Sequence, residues 1–189
     1  MAETEAGVVR YQIDASRSRF IVRAFATGLL SAFAHNPTIA IHDFTGVAEF
    51  VPDTLERASL ELRIKAISLE VVDNVSDKDR REIERQMREE VLEVDRYPEI
   101  VFESSDISTE KIMTGQYRAV INGRLNLHGV TRDCRISAQV IVSPDTLRAN
   151  GEFPLRQGDF NIKKVTAVGG TIKLKDEMKA SFDIVAHKL

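Results

Sequence analysis

From Tyr117 to Val142 every second side chain but Arg132 is apolar or small, and the parity of that row switches once, across His128-Gly129. Tyr117, Ala119, Ile121, Gly123, Leu125 and Leu127 share one face; Val130, Cys134, Ile136, Ala138, Val140 and Val142 continue it after the turn. A two-residue loop sets Leu127 opposite Val130 on one side of a sheet, so an odd-numbered row becomes an even-numbered one. Arg118, Asn122, Arg124, Asn126, Arg135, Ser137 and Gln139 fill the other face. One face therefore meets water and the other lines something dry. The same period of two recurs at Phe20, Val22, Ala24 and Ala26, at Leu60, Leu62, Ile64 and Ala66, at Ile100 and Phe102, from Leu147 to Leu155, and from Met178 to Ala186. Turn signals separate the runs at Pro52-Asp53, Ser143-Pro144-Asp145, Gly169-Gly170 and Asp176-Glu177.

One stretch departs from that period. Ile83, Met87, Val91 and Val94 fall at helical spacing among charged residues, Ser76 stands three before Asp79 as an N-cap, and Tyr97-Pro98 ends the run. The spacing predicts one amphipathic helix over Ser76–Val94 that packs its stripe against the sheet. Chain 1–189 then reads as one all-β domain. Only closure removes every sheet edge, so an antiparallel barrel of about eight strands is expected, with the helix covering it. Small residues on the dry face, Ala24, Ala66, Ala119, Gly123, Ala138, Ala149, Gly151 and Ala180, predict a lumen rather than a solid core. By parity the ligand-lining residues are Phe20, Val22, Leu62, Ile64, Phe102, Ile121, Leu125, Ile136, Phe153 and Phe182.

Composition narrows the function. Net charge is -3, with basic residues dispersed among acidic ones, so nucleic acid is not an expected partner. No apolar run is long enough to span a bilayer as a helix. If Met1 is the natural start, no signal peptide precedes the domain and a cytoplasmic location is expected; a precursor with a removed leader would be periplasmic. His35, His42, His128 and His187 are scattered, and no His-x-x-x-His or Cys-x-x-Cys spacing occurs, so no metal is expected. Cys134 falls on the apolar face and reads as an inert buried thiol. No Gly-x-Ser-x-Gly context marks an activated serine, so no catalytic residue is assigned. Arg156, Asp159 and Lys163 or Lys164 gather near one turn, where a solvated ion-paired cluster is favoured over a head-group site.

Tyr11-Gln12-Ile13-Asp14, Phe44-Thr45-Gly46, Tyr97-Pro98-Glu99-Ile100-Val101-Phe102-Glu103-Ser104, Leu125-Asn126-Leu127-His128-Gly129-Val130-Thr131-Arg132 and Asp159-Phe160-Asn161-Ile162 together resemble the YceI family over Tyr11 to Ala186. The resemblance implies a lipocalin-like barrel that binds, stores or transports a polyisoprenoid or isoprenoid quinone, without enzymatic activity or cofactor, and a homodimer. Arg17-Ser18 stands where the family commonly has His-Ser, and Asn161 where it has glycine. About fifteen buried carbons would supply near 12 kcal/mol gross, of which about 8 survives the cost of association, a micromolar affinity. Two rival readings are a lipid-modifying enzyme in a similar barrel, with His35, His42 or Asp43 as acid or base, and a stress-related module that docks a partner through its helix.

Overall fold

The computed structural model describes residues 7–27, 36–163, 166–167 and 172–189. Its strands are β1 Val9–Ile13, β2 Arg19–Arg23, β3 Ala26–Thr27, β4 Thr38–Ile41, β5 Phe44–Phe50, β6 Ser59–Lys65, β7 Leu69–Val71, β8 Glu99–Met113, β9 Gln116–Leu127, β10 Val130–Val142, β11 Thr146–Arg156, β12 Thr166–Ala167, β13 Ile172–Leu174 and β14 Glu177–Lys188. The helix α1 spans Asp77–Gln86. All the strand pairings are antiparallel.

Eight strands close a ring in the order β1-β5-β6-β8-β9-β10-β11-β14, and Tyr11 opposite Lys188 to Ile13 opposite Ala186 join its ends. The first three staves are bent. β2 continues β1 along β14, β4 continues β5 along β2, and β7 continues β6 along β4. The bends fall at the 3-10 turn Ala15–Arg17, at His42-Asp43 and at the 3-10 turn Ala66–Ser68. β3, β12 and β13 form a small separate sheet.

The β9–β10 register is the one the alternation predicts: Leu127 faces Val130, Ile121 faces Ile136 and Ala119 faces Ala138. His128 and Gly129 both take positive φ, 52° and 71°, as a primed hairpin turn demands. Alternation fails in one strand. β8 carries a bulge between Ser104 and Asp106, so its inward row passes from Ile100 and Phe102 to Ile107 and Thr109.

The helix starts as predicted, with the Asp79 amide donating to Ser76 Oγ at 3.1 Å. It does not continue to Val94 as one α-helix. After Gln86 the chain widens into a π-turn over Met87–Val91, and the Leu92 amide donates to the Met87 carbonyl at 2.9 Å. This turn shifts the apolar stripe, so that Met87 and Leu92 are buried while Ile83, Val91 and Val94 are only partly covered. Helix side chains also finish the edge of β7. Arg80 donates to the carbonyls of Val71 and Asp73, Glu84 accepts from the Val71 amide at 3.1 Å, and Arg88 donates to the Leu69 carbonyl at 3.3 Å. Charged groups at successive helical turns thus satisfy main-chain groups that an open edge would expose.

Candidate functional site

The inward faces of the eight staves enclose a cavity whose walls are almost wholly carbon. The cavity volume is about 150 Å³. An apolar cavity of about this volume admits a benzene-sized molecule. Leu62, Cys134, Ala149 and Phe182 point inward yet are only partly covered, because their free surface faces this space.

Nine of the residues chosen by parity line the cavity: Phe20, Leu62, Ile64, Phe102, Ile121, Leu125, Ile136, Phe153 and Phe182. Val22 is buried, but it packs opposite Ala180 and Ile39 outside the wall. The small residues do not act as a set. Ala119 and Ala149 open onto the void, whereas Gly123 and Gly151 seat the rings of Phe102 and Phe182. A Cβ on Gly123 would lie 2.5 Å from Phe102 Cζ, and one on Gly151 would lie 2.8 Å from Phe182 Cζ. Those glycines therefore make room for aromatic walls, not for ligand. Ala24, Ala66, Ala138 and Ala180 are packed away from the cavity.

Parity missed other wall residues. Leu55 and Ala58 come from the connection between β5 and β6, where no period exists, and Ile107 and Thr109 lie beyond the β8 bulge. The Pro52-Asp53 turn signal marks this connection in the sequence, but nothing there foretells that Leu55 turns inward.

The two ends of the barrel differ. At the end carrying α1 and the β9–β10 hairpin, Phe44, Met87, Leu92, Leu127, Phe160 and Ile162 are buried behind the cavity floor. His128 ties three segments there. Its Nε2 lies 2.7 Å from Glu93 Oε2, its Nδ1 lies 3.2 Å from the Phe160 carbonyl, and its ring sits 4.5 Å from that of Tyr97. The opposite end is covered by the 51–58 segment. Leu55 is 5% exposed and forms part of the wall, and Tyr117 Oη donates to the Asp53 carbonyl at 2.9 Å. Asp53, Leu55 and Arg57 all take left-handed φ, 67°, 55° and 55°. Such a conformation costs a non-glycine residue about 1–2 kcal/mol, least for Asp, so surrounding contacts must hold the segment in place. Beside it Tyr11 stacks on Phe50 at 5.2 Å and donates to the Ser143 carbonyl at 3.2 Å; burial, then the nearby Asp145 carboxylate, push its phenol pKa up.

The polar candidates lie elsewhere. His42 Nε2 meets Glu70 at 3.2 Å and Asp43 meets Lys65 Nζ at 2.8 Å, both on the exterior. His187 pairs with Asp14 at 3.3 Å. Arg156 pairs with Asp176 at 3.2 Å, Arg132 Nε donates to the Asp159 carbonyl at 2.8 Å, and Lys163 is exposed; none of these residues lines the cavity. His35, Lys164 and the Gly169-Gly170 turn lie outside the described residues. Cys134 does face the void, and burial raises its thiol pKa.

Fold and cavity together define a closed eight-stranded antiparallel barrel with an apolar lumen. The family model of the YceI-like domain matches residues 11–186, and the chain belongs to that family. Solved structures share the fold at low identity. BcnA of Burkholderia cenocepacia superposes with a TM-score of 0.69 at 17% identity, over 92% of this chain and 98% of that one. A polyisoprenoid binding domain from Saccharophagus degradans, implicated in plant cell wall breakdown, gives 0.66 at 12%, over 94% and 97%. The Campylobacter jejuni YCEI protein gives 0.63 at 17%, over 82% and 86%. No curated protein sequence matches the chain.

Proposed function

We propose that the chain is a non-catalytic binder of a long apolar isoprenoid, a polyprenyl chain or an isoprenoid quinone, which it stores or carries in the barrel. The observation that supports this reading is a cavity inside the barrel walled by side chains that offer carbon and almost nothing else. Glu49 borders the cavity, but its carboxylate is exposed and pairs with Arg10 at 3.2 Å. Such a wall suits a hydrocarbon tail; its polar side chains are few, among them Ser59, Thr109 and the Cys134 thiol. A void of about 150 Å³ seats about six carbons, fewer than the fifteen expected from the sequence, worth about 5 kcal/mol gross before association and ordering costs, so the rest of a longer chain would lie beyond it. The Saccharophagus domain, described as polyisoprenoid binding, lends support to this ligand class.

Organic extraction of the natively purified chain, followed by mass analysis, tests the proposal. A polyprenyl lipid or quinone in the extract is expected. Stripped protein refilled with a polyprenol should then shield Cys134 from a small maleimide. A chain that purifies bare, takes up no polyprenol and reacts at Cys134 at one rate throughout would overturn the reading.

A further inference from the structure

We propose that the 51–58 segment is the gate of the cavity, and that ligand passes Leu55 between this segment and the outer half of β8. The inference rests on the carrier reading above. Leu55 holds a place in the wall that a ligand atom could occupy, and it does so from a backbone in which three non-glycine residues, Asp53, Leu55 and Arg57, are left-handed. Strain of this kind recurs at clamps and switches, where surrounding contacts hold a segment in a conformation it would otherwise leave.

The neighbouring seam is short. β6 pairs with β8 only from Lys65 opposite Glu99 to Glu61 opposite Glu103, although β8 runs on to Met113. Its last rung sets Glu61 across from Glu103, with Arg63 Nε donating to Glu61 Oε1 at 2.7 Å. Past it, the Leu60 amide donates to Ser104 Oγ at 2.8 Å, and Tyr117 Oη holds the Asp53 carbonyl at 2.9 Å. Side-chain hydrogen bonds take over there from a main-chain ladder. Ala58, Leu60, Ile107 and Thr109 flank this slot and reach the cavity. The other end is built to stay shut, with Phe160, Ile162 and Met87 buried and His128 bound to both Glu93 and the Phe160 carbonyl.

Stopped-flow uptake and release of N-phenyl-1-naphthylamine by the full chain tests the gate. Tyr117→Phe removes one hydrogen bond from the closed state and should raise both rates about fivefold, the factor one net hydrogen bond supplies, with Kd changed less than twofold. Leu55→Gly, which suits the left-handed backbone and deletes the plug, should also speed release. His128→Gln, at the far end, should leave both rates within twofold of wild type. Faster exchange in His128→Gln alone, or rates indifferent to both Tyr117→Phe and Leu55→Gly while the wild type takes up dye, would overturn the gate. A wild type that takes up no dye refutes the cavity reading itself, and the gate with it.

Discussion

Enlarging one inward alanine distinguishes a hollow barrel from a solid one. Ala149 lies on the cavity wall, opposite Val140 and Ile184, which also line the void. Replacing it with leucine adds three carbons to open space. At about 0.8 kcal/mol per buried methylene the gross gain is about 2.4 kcal/mol, offset by about 0.5–1 kcal/mol of side-chain entropy. Apo Ala149→Leu is therefore expected to be about 1.5 kcal/mol more stable than wild type. Ala180 provides the contrast: it also faces inward, is 2% exposed, packs opposite Val22 and Phe153, and has no place in the wall. There the same substitution overpacks and should cost about 1–3 kcal/mol. Urea unfolding of the stripped proteins, with m unchanged, reads the difference directly. Where a polyprenol raises the wild-type midpoint, as the proposed function expects, Ala149→Leu should lose most of that shift. Equal losses at both positions would mean that Ala149 meets packed side chains, and the lumen would not exist.

Two further outcomes follow from the same geometry. Gly123→Ala brings a Cβ to 2.5 Å from the Phe102 ring and closer still to the Glu103 carbonyl, which the ladder holds in place, so it should cost about 1–3 kcal/mol in urea unfolding; wild-type stability would contradict the ring seat. Asp183 accepts from Arg148 Nε at 2.8 Å, and that hydrogen bond holds its carboxyl below the usual range. A folded pKa below the unfolded value adds stability above about pH 4 that is lost as pH falls through the folded value. Thermal midpoints measured between about pH 5 and pH 2 should accordingly fall less steeply for Asp183→Asn than for wild type; parallel curves would remove the pair from the acid response.

The β9–β10 hairpin was fully legible in the sequence, because a period of two and a His-Gly turn leave one register that keeps Leu125, Ile136 and their neighbours on one face. Ring closure was legible only in outline. Tyr11 opposite Lys188 joins residues at the two ends of the chain, and no local pattern encodes that pairing. The cavity wall divides in the same way. Parity found wall residues in most staves but none in β5, whose Ala48 and Phe50 also line the cavity, and β8 carries a bulge that moves the inward row to Ile107 and Thr109; bulges leave little trace in composition. Leu55 was invisible because its direction depends on left-handed backbone angles that leucine rarely takes. The glycines misled. Gly123 and Gly151 read as empty space, yet each is small because a phenylalanine lies across it, a relation between neighbouring strands that one strand's sequence cannot express.

A void of this size has an energetic consequence that ties stability to occupancy. At about 24 cal/mol per Å³, leaving about 150 Å³ unfilled forgoes about 4 kcal/mol of packing, a large share of the 5–15 kcal/mol by which domains are stable. A helical bundle would recover much of that by sliding its elements inward. An eight-stranded ring is less able to, because strand number, tilt and stagger fix its diameter and every stave is hydrogen-bonded on both sides over part of its length. The rings of Phe102 and Phe182 over their glycines take up some of the space, and Leu55 takes up more from the open end. What remains is surface that a hydrocarbon can cover without asking any strand to move. Filling it would return roughly the stability that a ligand confers at a thousand times its Kd, so the loaded barrel should be the resistant form and the empty one the form that exchanges.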